Sequence, residues 1–175
     1  MATAPSTSTV GDLDAGTGPL IRARNMRRVF IVALVVFLAA GATNLLGVRV
    51  GRASASSGGY DLTVRYGRVT RPALSTPWEV RIHSADGFDG PVTVRTTADY
   101  FGLFDENGLN PDPSKSTATP VWIIWEFDPP DGKTLAISYD ARIGPDVQRG
   151  RDATTAVLVD GVVVVQVHYR TTVLP

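Results

Sequence analysis

A chain of 175 residues with 43% hydrophobic side chains has room for one folded domain of ordinary size. The absence of cysteine excludes disulfides and thiolate metal sites. Seventeen basic against seventeen acidic residues leave no net field to gather nucleic acid.

In chain order, residues 1–28 come first. They are mostly Ala, Thr, Ser, Gly and Pro with almost no large apolar side chains, and end in Arg22, Arg24, Arg27 and Arg28. Such a segment cannot offset its ordering entropy, so a disordered cytosolic tail is expected. Met26 followed by Arg27-Arg28 would itself make a good start. Residues 29–48, VFIVALVVFLAAGATNLLGV, carry no charge. As a helix they reach about 30 Å, the thickness of a bilayer's hydrocarbon core, so one transmembrane helix is predicted. Four arginines precede the run and two, Arg49 and Arg52, follow it. The positive-inside rule then puts the N-terminus in the cytosol and the C-terminal part outside the cell membrane. Thr43 and Asn44 are the conspicuous polar residues of the span; Asn44 suits either a second helix or the outer interface. A cleaved signal peptide is the rival reading, with small-residue sites at Ala40-Gly41-Ala42 and Ala53-Ser54-Ala55. The apolar run exceeds the about 7–15 residues of a signal peptide, which favours an uncleaved anchor. Residues 49–59 contain RASASSGG and read as a flexible tether.

Residues 60–175 alternate apolar and polar side chains with period two, interrupted by turn chemistry. Tyr60, Leu62, Val64 and Tyr66 alternate with Asp61, Thr63 and Arg65; Trp78, Val80 and Ile82 alternate with Glu79, Arg81 and His83. Further strands are predicted over 92–97, 121–127, 134–143, 156–159 and 162–169. Asp160-Gly161 between the last two is a strong hairpin signal, because a type I′ turn needs positive φ at both positions. No segment here has helical periodicity. About seven short strands predict an all-β, antiparallel two-sheet sandwich. Beyond residue 48, thirteen basic residues face fifteen acidic ones. The missing disulfide in a domain placed outside the cell points to a bacterial protein, and fifteen arginines against two lysines (Lys115, Lys133) fit a GC-rich genome.

Asp61-Leu62-Thr63-Val64, Pro77-Trp78-Glu79-Val80-Arg81-Ile82, and Trp125-Glu126-Phe127 followed by Pro130-Asp131-Gly132 and Leu135-Ala136-Ile137 carry a resemblance. The domain resembles bacterial immunoglobulin-like modules of the cell-adhesion-related (CARDB) type. It departs from them at Ser84-Ala85-Asp86-Gly87, where those modules carry an Asn-x-Gly turn, and at the Asp160-Gly161 hairpin. Anchor plus sandwich is similar to small membrane proteins of actinobacteria. The resemblance implies binding or spacing rather than catalysis.

Motifs of chemistry are sparse, and neither an enzyme nor a cofactor or metal is expected. His83 and His168 fall on polar strand faces, and no phosphate loop or nucleophile motif is present. The oxygen-rich run Asp105 to Asp112 has glycine at its fourth position and Ser116 at its twelfth, unlike an EF-hand. A structural loop is the simpler account. The candidate site is a surface. If Val121, Ile123, Trp125 and Phe127 face the core, Trp122 and Ile124 must face outward. The aromatic segment containing Tyr100 and Phe101 then either folds over that pair or joins it as a contact surface. Two functions follow. One is an accessory subunit whose sandwich contacts another membrane or envelope protein; the other is a module that binds cell-wall polymer or another ligand. Beyond that protein, the partner expected is the lipid bilayer; no homo-oligomer is implied either way.

Overall fold

The computed structural model describes residues 17–42, 47–105 and 108–175, with side-chain surroundings in the N-terminal helix given for 22–41. Contacts divide the chain into two units, Met1–Leu46 and Gly47–Pro175.

The first unit holds helix α1, Thr17–Ala42. It starts earlier than the tail predicted for residues 1–28 allows: the arginine-rich approach continues the apolar run, and arginine and methionine are good helix formers. Val29, Phe30, Val32, Val35, Val36, Phe37 and Leu38 all expose their side chains, so the helix has no polar face over this stretch. The charge-free described part, Val29–Ala42, is about 21 Å long. Among the described residues, no helix is long and apolar enough to cross a membrane. The predicted span of 29–48 is therefore not seen as one helix. Thr43 and Asn44 lie outside the described residues, and Gly47 and Val48 belong to the second unit.

The described residues of that second unit are all-β apart from one helical turn. In chain order its elements are β1 (Arg49–Ser57), β2 (Tyr60–Thr70), β3 (Trp78–Ser84), β4 (Val92–Thr97), α2 (Ala98–Phe101), β5 (Phe104–Asp105) and β6 (Leu109–Asn110). They continue with β7 (Lys115–Ala118), β8 (Trp122–Phe127), β9 (Thr134–Tyr139), β10 (Arg142–Ile143), β11 (Arg151–Val159) and β12 (Val162–Val173). The predicted strands are present, but the number exceeds seven. Short pieces β5, β6, β7 and β10 form inside connections, and the strand predicted over 134–143 is divided between β9 and β10.

The tether predicted at 49–59 is corrected outright. Arg49–Ser57 pairs antiparallel with β2 along its whole length, from Arg49 opposite Val69 to Ser57 opposite Tyr60. Gly58 and Gly59 make the turn, with φ of 59° and 80°, the double positive φ of a tight hairpin. Gly51, Ala53 and Ala55 are small because they face inward beneath larger neighbours. A Cβ on Gly51 would come 2.8 Å from the Tyr66 ring. The candidate cleavage site Ala53-Ser54-Ala55 lies inside this paired strand. Asp160-Gly161 turns as predicted, with φ of 52° and 78° between β11 and β12.

The strands form a curled, sandwich-like sheet. One layer runs β6-β9-β3-β2 with β1 beyond β2; the other runs β12-β11-β4-β8-β7. They join where the end of β12 pairs parallel with β2, at Thr172 opposite Val69 and Val173 opposite Thr70. Close approach at the junction needs Gly67, whose missing Cβ would lie 2.2 Å from Thr76 Cγ2. Val48 also packs beside Gly67. Between the layers, Leu62, Val64, Trp78, Ile82, Val94, Phe127 and Ile137 are buried.

A hydrogen-bonded chain crosses this core. Trp78 Nε1 donates to the Tyr169 hydroxyl at 2.8 Å. That hydroxyl lies 2.9 Å from Thr155 Oγ1, which lies 3.0 Å from Thr96 Oγ1. Thr171 donates to the Gly67 carbonyl at 2.7 Å and lies 2.8 Å from the Tyr100 hydroxyl, so the tyrosine supplies the proton of that contact. Each side-chain polar group of this chain thus has a partner, which is what makes its burial tolerable.

Candidate functional site

The predicted surface residues part company in the structure. Antiparallel pairing sets Val94 opposite Trp125 and Val92 opposite Phe127 on the core side of β4 and β8. Arg95 opposite Ile124 and Thr97 opposite Trp122 therefore take the outer side. Trp122 and Ile124 stay half-buried there. The Arg95 guanidinium lies over the Trp122 ring, 4.4 Å from its centroid, a cation–π stack. Arg95 Nε is buried without a hydrogen-bond partner among the described residues. Thr117 of β7 extends the face beyond Ile124. Toward the other edge lie Ala156, opposite Arg95, and Thr154, whose hydroxyl meets His168 Nδ1 at 2.7 Å. Val121, expected to face the core, is exposed because it precedes the paired part of β8.

Tyr100 and Phe101 do not join this face, nor do they cover it. The turn of α2 directs Tyr100 into the core, where it is fully buried. Phe101 packs between the layers, with ring centroids 5.0 Å from Trp78, 5.1 Å from Trp125 and 5.3 Å from Tyr139. Phe104 closes the cluster 5.4 Å from Tyr100. Both residues are thus removed from the contact surface: an aromatic segment beside an open core end buries more area inward than across a flat sheet. Trp122 and Ile124 remain as its apolar part.

Burial raises the Tyr100 hydroxyl well above its ordinary value, with the neighbouring Tyr169 adding to the rise and the Thr171 hydrogen bond opposing it. Burial raises Tyr169 as well, against the hydrogen bonds from Thr155 and Trp78. Both are neutral structural groups at any ordinary pH.

The remaining polar candidates are dispersed. His83 meets Thr134 Oγ1 at 3.1 Å on β3, and His168 lies on β12 in the other layer. Among the described residues no three His, Asp or Glu side chains are grouped to hold a metal ion. Of the predicted 105–112 loop, Asp105 pairs with Arg142 and Asn110 with Ser138 along separate strand edges. Glu106 and Asn107 lie outside the described residues.

Sequence reasoning missed the charged face of the other layer. Arg52, Arg65 and Arg81 stand on β1, β2 and β3 around Glu79. Their outward alternation is written in the sequence, but their neighbourhood depends on the β1–β2 hairpin. No protein-family model matches the chain, and no curated protein matches it.

Proposed function

We propose that this chain is a non-catalytic, membrane-anchored module whose extracytoplasmic immunoglobulin-like sandwich contacts another membrane or envelope protein. The observation that carries the reading is the pair Trp122 and Ile124, held half-buried on an outer sheet face with Arg95 stacked on the indole. Apolar side chains flanked by a cation suit a partly apolar protein surface. The sandwich class draws support from strand order. The strands β2-β3-β9-β6 and β12-β11-β4 follow the ABED and GFC arrangement of immunoglobulin constant-type domains, with β1 added beyond β2 and β8 and β7 added beyond β4. The anchor draws support from the charge-free run and from the exposed apolar side chains of α1.

A photo-crosslinking residue placed at 122 or 124 in intact cells gives one defined membrane-protein adduct, and the same probe at Thr63 on the opposite face does not. Equal adducts at all three positions, or none, reject the contact. Alkaline carbonate extraction leaves the chain in the membrane pellet; its release would reject the anchor. Protease added outside spheroplasts removes the β unit; protection there would reverse the topology.

A further inference from the structure

The outer face of the β1-β2-β3-β9-β6 layer carries a graded trough. Pairing sets Arg52 opposite Arg65, Arg65 opposite Glu79, Glu79 opposite Ser138 and Ser138 opposite Asn110. At about 4.8 Å between strands this row crosses the layer over about 19 Å. In the next row Thr63 lies opposite Arg81, and Arg81 opposite Ala136. The trough has a volume of about 550 Å3, within the ~300–1,000 Å3 of small-ligand sites. Glu79, its lining carboxylate, is engaged by Arg65. The guanidinium groups of Arg52 and Arg81 have no ion-pair or hydrogen-bond partner among the described residues. The β1–β3 end is therefore cationic, and the β9–β6 end, with Ser138 and Asn110, is neutral and polar.

Each end fits a different chemistry. The planar fork of arginine matches a carboxylate or phosphate. An amide and a hydroxyl match the donors and acceptors of sugar hydroxyls. A bare anion uses one end only, a neutral glycan leaves both arginines unengaged, and an apolar peptide finds no pocket. We propose that this trough binds an acidic saccharide, its anionic group toward Arg52 and Arg81 and its ring hydroxyls toward Ser138 and Asn110. The site needs neither the anchor nor the Trp122 face, and it gives the ligand-binding alternative a chemical identity.

The test uses the full chain in a zwitterionic detergent at low salt, with backbone amides followed by NMR. The probes are trigalacturonate, a phosphorylated trisaccharide, maltotriose and inorganic phosphate. Either acidic trisaccharide shifts amides around residues 52, 65, 81, 110 and 138 saturably. Maltotriose does not, and phosphate binds at least about tenfold more weakly. Arg52→Gln with Arg81→Gln weakens the acidic trisaccharide about tenfold or more at unchanged Tm. Asn110→Ala weakens the trisaccharide and leaves phosphate binding as it was. Trp122→Ser leaves trisaccharide affinity unchanged, which separates this site from the protein contact. Three results overturn the proposal: no saturable shift with either acidic trisaccharide, phosphate matching them (an adventitious ion only), or full affinity in the double arginine variant.

Discussion

The two outer faces of the β unit obey the same alternation rule and end with opposite chemistry. On β4 and β8 the outward residues include Trp122 and Ile124, with the Arg95 guanidinium placed over the indole. On β1, β2 and β3 they include Arg52, Arg65 and Arg81, with Glu79 answering one of the three. An arginine shares its charge with a ring on one face and projects unpaired on the other. Sequence composition averages these into a nearly neutral domain, with thirteen basic and fifteen acidic residues beyond residue 48. Surface chemistry is thus decided by strand pairing, because pairing determines which outward residues become neighbours.

The faces share one core, and breaking that core should erase both. Trp78 is fully buried, packs edge-on to Phe101 and donates to Tyr169 across the layers. Trp78→Ala removes the largest buried side chain and one anchor of the polar chain, at a cost of about 3–5 kcal/mol. Urea unfolding should show that loss, with the Trp122 and Arg52 faces losing amide protection together. If one face stayed protected, the layers would be separable units. Tyr169→Phe keeps the ring and removes the hydroxyl between Trp78 and Thr155, for about 1–3 kcal/mol.

Alkali probes the same core. Both Tyr100 and Tyr169 are raised by burial, whereas an unfolded tyrosine loses its proton near pH 10. Above that pH the unfolded chain releases protons that the folded one retains, so stability is full below about pH 10 and falls as pH rises further. Two such groups give a slope of up to about 2.7 kcal/mol per pH unit. The Tyr100→Phe, Tyr169→Phe double variant should show a shallower fall between pH 10 and 12, read by urea midpoints. An unchanged slope would mean that other groups drive alkaline unfolding.

Much of the β unit was legible because its strands bury large side chains at every second position. Trp78, Val80 and Ile82 alternate with polar partners, and Asp160-Gly161 carries its turn type in its residues. β1 was illegible for a physical reason. Its inward residues are Gly51, Ala53 and Ala55, too small to register as an apolar stripe, because the Tyr66 ring occupies the space beneath Gly51. The Gly58-Gly59 pair was the available signal, and beside serines it reads as a linker. Losing β1 hid the arginine trough, since Arg52 meets Arg65 only through that hairpin. The inward turn of Tyr100 was equally out of reach: it depends on Thr171 and Tyr169, about seventy residues away. The outward direction of Trp122 and Ile124 followed from alternation alone.

The smallest expected effects sharpen the contrast between the faces. Trp122→Ser removes a half-buried ring and its stack with Arg95, and stack energies at such sites are about 0.5–1 kcal/mol. Lost ring packing adds to this, so a total of about 1–2 kcal/mol is expected, with the fold retained. Arg81→Gln removes an exposed charge with no partner among the described residues, and should stay within about 0.5 kcal/mol. Chemical denaturation of the two variants side by side tests whether the cation–π face contributes to stability while the trough does not. If Arg81→Gln proved the more damaging, its guanidinium would have a structural partner in solution, and the trough would lose one of its two free cations. If Trp122→Ser unfolded the domain, the indole would be core rather than contact. The ordering Trp122→Ser above Arg81→Gln, both far below Trp78→Ala, is what two solvent-facing surfaces on one shared core require.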